Sequence, residues 1–132
     1  MNINKVSEEM AVSKDTLRYW ERIGLLPEVQ RNDSGYRDYS ESDMNWVLYI
    51  KALRRAGMSI ESLIDFVKLY REPENTKAAR KSLLMEQKKR LEAQQQEIQK
   101  SLNYLNFKIE HFDDHMLTFE NEKLSYRATV TK

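Results

Sequence analysis

The chain has 132 residues, a third of them charged, and its basic and acidic side chains nearly balance at a net charge of +1. This length allows one ordinary domain with an appendage. The absence of cysteine excludes disulfides, thiolate metal sites and cysteine nucleophiles. No apolar run is long enough to cross a bilayer, and the first residues lack the apolar stretch of a secretory signal, so we expect a cytoplasmic protein without membrane contact.

Two short helices are predicted at the start of the chain. Residues 3–10 carry apolar side chains at helical spacing, and Ser13 is placed to cap a second helix over residues 14–23. Gly24 is suited to the position that follows a helix C-terminus. Two helices joined by a turn of about three or four residues are typical of a helix-turn-helix.

The next segment predicts a wing and two more helices. Residues 26–39 contain turn formers and a short alternating stretch, which indicates a loop and a small β-hairpin. Ser40 and Ser59 are placed to cap helices that begin near residues 43 and 60, and Pro73 marks a boundary. The predicted buried faces are Trp46, Val47, Ile50 and Leu53 in the third helix, and Ile60, Leu63, Ile64, Val67 and Tyr70 in the fourth.

A long helix is predicted from residue 75 to about residue 115, because this stretch is rich in Lys, Glu and Gln and has no Gly or Pro. Its apolar residues recur every seven positions, which indicates a coiled coil. A helix of about 40 residues spans about 60 Å, more than its own small domain can cover, so dimerisation is favoured over intramolecular packing. The predicted seam is Leu84, Leu91, Ile98, Leu102, Leu105, Ile109 and Phe112, continued by Met116.

We therefore expect three parts: a DNA-binding domain over residues 1–72, a dimerisation helix over residues 73–116, and a tail over residues 117–132 with a frayed end. Because the net charge is close to neutral, DNA binding must be inferred from where the basic residues lie. On the second helix the inner face is occupied by Leu17 and Ile23, so Lys14, Thr16, Arg18 and Tyr19 cannot all be buried. Such groups contact phosphates and base edges in a major groove, although exposed Arg and Tyr are also common on solvent-facing helices.

Three sequence blocks together resemble the MerR family of winged-helix regulators. They are Thr-Leu-Arg-Tyr-Trp-Glu-Arg-Ile-Gly-Leu-Leu from residue 16, Gly-Tyr-Arg-Asp-Tyr from residue 35, and Leu-Arg-Arg-Ala-Gly-Met-Ser-Ile from residue 53. They occur in the family's order and spacing. The resemblance covers residues 1 to about 115. It implies a mainly α fold: an N-terminal winged helix-turn-helix followed by a long helix that forms an antiparallel coiled-coil dimer, with its two heads about one DNA turn apart.

The resemblance also assigns residues. It places Thr16, Arg18 and Tyr19 on the recognition helix and Arg37 on backbone phosphate. Purely structural roles are the alternative to DNA contacts for several residues. Tyr39, Trp20 and Trp46 would then be packing residues, and Glu21 would pair with a neighbouring Arg. Arg54 and Arg55 would lie near a second wing, or form a solvated helix end. The full candidate DNA-binding set is Ser13, Lys14, Thr16, Arg18, Tyr19, Tyr36, Arg37, Tyr39, Arg54 and Arg55.

The function implied by the resemblance is transcription regulation. Similar proteins bind a pseudo-palindromic promoter site with an over-long spacer and distort the DNA so that RNA polymerase engages both promoter elements. We expect no enzyme activity and no cofactor, since no phosphate loop or activated nucleophile is evident. The alternatives are an architectural, excisionase-like DNA-bending protein and a coiled-coil interaction protein. Excisionase-like proteins are generally short and lack a long dimerising helix, which this chain is predicted to have. A pure coiled-coil interaction protein would leave the Arg18 and Arg37 elements unexplained.

The inducer is not evident from the sequence. Metal-sensing branches use cysteines, and drug-sensing branches append a large domain. Small members that respond to aldehydes or other electrophiles resemble this chain most, but some of them carry a cysteine where this chain has Ala52. His111 and His115 share a helix face at a spacing that can hold Zn²⁺. Two histidines without further fixed ligands are usually ordinary surface residues, so no metal site is expected. Tyr104, Phe107 and Phe112 form an aromatic cluster that suits a small-molecule pocket or dimer packing equally well.

Overall fold

A computed structural model describes residues 1–124 and divides the chain into two compact units, Met1–Lys89 and Arg90–Lys132. Apart from one loop-and-turn segment, the described part is helical. The helices are α1 (Ile3–Met10), α2 (Lys14–Arg22), α3 (Glu41–Arg55), α4 (Ile60–Arg71), α5 (Lys77–Glu110) and α6 (Leu117–Lys123), with a π-helical turn at Phe112–Met116.

Local side-chain caps start three of the helices, as predicted. The Ser13 Oγ accepts the Thr16 N–H at the start of α2 (3.1 Å), and the Ser59 Oγ accepts the Ser62 N–H at the start of α4 (3.0 Å). At α3 the Ser40 and Asp43 side chains each accept the other's backbone N–H. These bonds satisfy donors that a helix N-terminus otherwise leaves unpaired.

The core of the first unit is formed where α1 packs on α2 and α3, and α3 on α4. Four of the nine predicted inner positions are buried, four more are partly buried against the same cluster, and one in α4 is wrong. Tyr70 is 53% exposed, while Phe66, which we did not place in the core, is 2% exposed. The Tyr70 ring lies at the surface against the edge of the Trp46 ring, with 5.1 Å between centroids. The most deeply buried side chains are Val6, Leu17, Leu25, Val47, Ile50, Met58, Leu63 and Val67.

The predicted β-hairpin is reduced to a single antiparallel bridge between Arg31 and Arg37, and residues 1–124 contain no strand. Two backbone bonds close it: Asn32 N–H to the Tyr36 carbonyl (2.8 Å) and Asp38 N–H to the Gln30 carbonyl (2.7 Å). The turn N–H groups bond to the Asn32 side chain rather than to a longer ladder. We call this segment, residues 30–38, the wing.

The first turns of α5 belong to the first unit and pack on it. Leu83 contacts the core cluster, and the Gln87 Nε2 donates to the Ala56 carbonyl (2.9 Å). Gln87 is only 8% exposed, so this polar side chain is fixed at the end of α3. Burial with a hydrogen-bond partner avoids the cost of an unsatisfied amide.

In the second unit the predicted uninterrupted helix is broken near its end. The Met116 N–H donates to the His111 carbonyl, five residues back (3.1 Å), which widens the turn after α5. The seam residues from Leu84 to Phe112 are each at least 40% exposed on the single chain, whereas Met116 is partly buried. The predicted frayed end of the tail lies outside the described residues.

Candidate nucleic-acid interface

The outer face of α2 is polar because the core takes its apolar residues. Leu17 and Trp20 are buried, which turns Arg18 and Tyr19 to the surface. The Arg18 Nη1 contacts the Asp15 Oδ1 at 3.2 Å in an exposed ion pair. Exposed pairs of this kind contribute little, so the Arg18 guanidinium can exchange this carboxylate for a ligand at small cost.

The start of α2 is held by Ser13 and Thr16. The Ser13 Oγ donates to the Thr16 Oγ1 (2.8 Å) while accepting the Thr16 N–H, so both hydroxyls are engaged in the cap. Lys14, the first residue of α2, is exposed beside them. The first turn therefore offers one free cation and a helix N-terminus, whose partial positive charge suits phosphate.

The wing is shaped by its turn. Gly35 has a φ of 85°, a left-handed conformation that disfavours side chains, and the Arg31 Nη1 donates to its carbonyl (2.8 Å). Tyr36, the next residue, is 71% exposed, which is unusual for so large a ring. The turn thus projects an aromatic hydroxyl and carries Arg31 and Arg37 opposite each other on its two limbs.

Arg37 attaches the wing to α2. Its Nε donates to the Glu21 Oε1 (2.7 Å), and the Glu21 Oε2 accepts the Val29 N–H (3.0 Å). Both charged side chains are largely buried. The interpretation of Glu21 as the partner of a nearby Arg is therefore confirmed, and Arg37 is held in place rather than free in solvent.

Arg18, Arg31 and Arg37 line a groove of about 340 Å³ between the start of α1, α2 and the wing. We call it the arginine groove. Its remaining lining residues are Asn2, Ile3, Asn4, Asn32 and Tyr36, none of them acidic, although Arg18 and Arg37 are paired with Asp15 and Glu21, which do not line it. A near-neutral chain thus carries a locally basic surface, which attracts polyanions.

Arg18 and Arg37 also line a second, adjoining concavity of about 620 Å³, whose other charged residues are Arg22, Arg71, Glu21 and Glu28. Sequence reasoning missed Arg22, Arg31 and Arg71. Only Arg31 left a signal, since it flanks the turn opposite Arg37. Arg71 is brought here by folding alone.

Tyr39 faces inward and not toward a ligand. It is 3% exposed, and its hydroxyl has no hydrogen-bond partner among residues 1–124. Burial raises the pKa of the Tyr39 hydroxyl above its usual value. Tyr39 is therefore a packing residue, as the alternative interpretation had it, and its assignment to the candidate DNA contacts is wrong.

Arg54 and Arg55 lie at the α3–α4 connection, away from the residues that line the arginine groove. The Arg54 Nη1 donates to the Met58 carbonyl (2.7 Å) and so stabilises the turn, while Arg55 is exposed. In the second unit the His111 Nδ1 lies 3.4 Å from an Asp114 oxygen. Among residues 1–124, no group of three His, Cys, Asp or Glu side chains is arranged to hold a metal ion.

Sequence comparison decides the family. The profile of MerR HTH family regulatory proteins matches residues 1–69, and the MerR DNA-binding profile matches residues 45–106. The chain belongs to the MerR family. The MerR-type resemblance and the helical fold that it implied are thereby confirmed, and the relatives with assigned names are transcriptional regulators.

Three MerR-type relatives illustrate the similarity. The transcriptional regulator AdhR of Bacillus subtilis (strain 168) is 47% identical over 91 residues, which are 69% of this chain but only 65% of AdhR. A MerR family regulator from Listeria monocytogenes matches at 44% identity and a TM-score of 0.75, covering 92% of each chain. HiNmlR is a MerR family regulator that lacks a sensor domain, and its structure was solved bound to promoter DNA. It matches at 27% identity and a TM-score of 0.69, covering 89% of each chain.

No helix in the described part of the chain combines the length and apolar character that crossing a membrane requires.

Proposed function

We propose that this MerR-family chain is a transcription regulator that binds a pseudo-palindromic promoter site as a homodimer. The arginine groove carries the proposal, because three guanidinium groups line it beside an exposed helix face of the size a major groove admits, and the exposed Asp15 that contacts Arg18 is easily exchanged for a phosphate or a base. The structure of HiNmlR on promoter DNA supports the same class of ligand. A regulator of this kind works in the cytoplasm, where promoter DNA is found, and needs no catalytic group.

Each element receives a role. Arg18 and Tyr19 read base edges from α2, while Lys14 and the Ser13–Thr16 cap contact the adjoining phosphates. On the wing, Tyr36 and Arg31 contact the backbone, and Arg37 positions the wing through Glu21 while its remaining N–H groups face the groove. Arg54 and Arg55 supply a second backbone contact at the α3–α4 turn.

The dimer is formed by the long helix. The seam residues from Leu84 to Phe112 are exposed on a single chain. The same helix of a second copy would bury this heptad stripe in a coiled coil. We assign residues 1–72 to DNA binding, residues 73–116 to dimerisation and residues 117–132 to the tail. The two DNA-binding domains distort the promoter spacer so that RNA polymerase engages both promoter elements. The contacts with phosphates and bases supply the free energy that this distortion of the DNA costs.

DNase footprinting with purified protein on its own promoter and on the promoters of adjacent genes tests the proposal. We expect a protected pseudo-palindrome between the two promoter elements. The Lys100→Ala variant serves as a control, because Lys100 is an exposed cation far along the chain from the groove residues. Protection without sequence preference, or no protection on any promoter, contradicts the proposal.

A further inference from the structure

The turn between α1 and α2 has a backbone conformation that its sequence does not favour. Ala11 has a φ of 54° and a ψ of 45°, and among residues 1–124 it is the one residue other than glycine with a positive φ. A side chain is strained in this left-handed region. The Ala11 and Val12 N–H groups both bond to the Ser7 carbonyl, the second at 3.3 Å, and Val12 is buried in the core. Contacts, and not local preference, therefore maintain the turn.

Lys51, on α3, supplies one of these contacts from outside the turn. Its Nζ donates a hydrogen bond to the carbonyl of Met10, the last residue of α1, across 41 residues of sequence. The last carbonyls of a helix have no partner within the helix and carry its partial negative charge, so an ammonium group suits them. Lys51 is partly buried, and no acidic side chain among residues 1–124 forms an ion pair with it. The end of α1 is thus the partner of this charge.

The bond of Lys51 places a second tie at the start of α2, opposite the tie to the wing. The last turn of α2 is joined to the wing, because Glu21 accepts from the Arg37 Nε at 2.7 Å. The first turn follows directly on the turn that Lys51 holds against α3. Arg18 and Tyr19 lie between these two ties on the outer face of α2. Hydrogen bonds weaken steeply when a donor is misaligned, so the placement of α2 decides whether these side chains can bond to base edges.

We propose that Lys51 is a positioning residue for DNA recognition. Its ammonium group holds the end of α1 against α3 and so sets the place from which α2 presents Arg18 and Tyr19. The inference rests on the proposed function. It assigns the charge of Lys51 to the fold and not to the phosphate backbone. The two roles differ in what can be measured, because a cation that binds phosphate adds to the salt dependence of DNA binding and a positioning cation does not.

Replacing Lys51 by Met keeps an unbranched, flexible side chain but removes the ammonium group. At a temperature at which circular dichroism shows each variant folded, we expect operator affinity to fall about tenfold, the cost of one hydrogen bond from a charged group. Affinity for a scrambled duplex should fall less than about threefold, with an unchanged salt slope, since no phosphate contact is lost. Fluorescence anisotropy measures both.

Two further variants serve as controls for the loss of the ammonium group. Lys51→Arg keeps a charged donor and should recover most of the operator affinity. Lys68→Met removes an exposed cation from α4 of the same unit and should bind like the wild type. A smaller salt slope in Lys51→Met would make Lys51 a phosphate contact and overturn the proposal. Equal losses on both duplexes, or an equal operator loss in Lys51→Arg, would overturn it as well.

Amide hydrogen exchange observes the turn in the absence of DNA. In Lys51→Met we expect the Ala11 and Val12 amides, which bond to the Ser7 carbonyl, to exchange at least about tenfold faster through local opening. Amides around Leu63 in α4 should keep their wild-type rates. Unchanged rates in the turn, or an equal increase in α4, overturn the proposal. Faster exchange in the turn of a protein that gives no footprint rejects the regulator alone, and a footprint with unchanged exchange rejects the role of Lys51 alone.

Discussion

The arginines around the groove have different roles because their partners differ in burial. Arg18 contacts only the exposed Asp15, so its ion pair is easily replaced. Arg37 contacts the largely buried Glu21, so its position is fixed. Arg31 closes the wing turn through the Gly35 carbonyl. We therefore expect Arg18 to control specificity and Arg37 to control the placement of the wing.

Replacing Arg18 by Ala should weaken operator binding about tenfold to a hundredfold, the cost of one lost bidentate base contact. Binding to a scrambled duplex should fall much less, because phosphate contacts dominate non-specific affinity. Fluorescence anisotropy with both duplexes measures the two constants, and Lys100→Ala is the charge-matched control. Unchanged operator affinity would show that the recognition helix is misplaced.

Replacing Glu21 by Gln keeps the size of the side chain but removes the charge that holds Arg37. We expect the free energy of unfolding to fall by about 1–3 kcal/mol, since a largely buried cation loses its counter-charge. Operator affinity should fall as well, without a smaller salt slope, because no cation has been removed. Urea unfolding and salt titration check this, with Asp15→Asn, the exposed acid beside Arg18, as the control. An Asp15→Asn variant that is destabilised equally argues against the clamp.

Replacing Tyr39 by Phe removes a buried hydroxyl that bonds to no residue in the described part of the chain. Stability at neutral pH should stay level or rise by up to about 1 kcal/mol, and DNA affinity should not change. The raised pKa of Tyr39 in the fold means that the unfolded chain ionises first, so this group's contribution is intact below about pH 10 and is lost as the pH rises through the folded pKa. The Phe variant should lack that alkaline loss in pH-dependent urea unfolding. A clear loss of DNA affinity would return Tyr39 to the binding set.

At the scale of elements, local rules predict helix starts well and irregular segments poorly. The caps at Ser13, Ser40 and Ser59 were predicted because a cap needs only the residues next to it. The π-helical turn at Phe112–Met116 was not, since one extra residue in a turn leaves the composition helical. The wing was predicted as a β-hairpin, but the structure has a single antiparallel bridge. An alternating pattern of residues does not by itself determine how many backbone hydrogen-bonded pairs form between the two limbs.

Replacing Gly35 by Ala tests the wing as an element. A Cβ there meets no atom within 4 Å, so the cost comes from the left-handed backbone alone and should be about 1–2 kcal/mol of unfolding free energy. Because the turn carries Tyr36, we also expect weaker binding to operator and scrambled duplexes alike. Thermal unfolding and anisotropy measure both effects, with Ser34→Ala as the control in the same turn. Wild-type behaviour would mean that the turn readily adopts another form.

At the scale of the whole molecule, a single chain leaves an apolar stripe in water. The seam residues from Leu84 to Phe112 are exposed, and their heptad spacing requires a partner helix. If the proposed dimer forms, we expect DNA binding to depend on it, because two heads on two half-sites bind with far higher effective concentration than one.

Replacing Leu102 by Asp puts a charge in the strongest part of the seam. We expect the protein to shift from dimer to monomer at micromolar concentration in analytical ultracentrifugation, and operator affinity to fall by at least about a hundredfold as the second head is lost. Gln96→Asp adds the same charge on an exposed position outside the heptad stripe and should remain dimeric. A wild-type chain that is already monomeric at this concentration would contradict the dimer.

The sequence by itself determined the first four helices, the caps at Ser13, Ser40 and Ser59, and the family, because periodicity, capping and short motifs are encoded by residues near one another. Only the tertiary structure decided which charges meet. Glu21 and Arg37 are far apart in the chain but are joined at 2.7 Å, and the same folding buries Tyr39 and turns Tyr70 outward. It also brought Arg71 beside α2 and buried the Arg80 Nε where no described residue accepts its hydrogen. Such pairings depend on how elements pack, and packing is set by the whole core rather than by any local pattern.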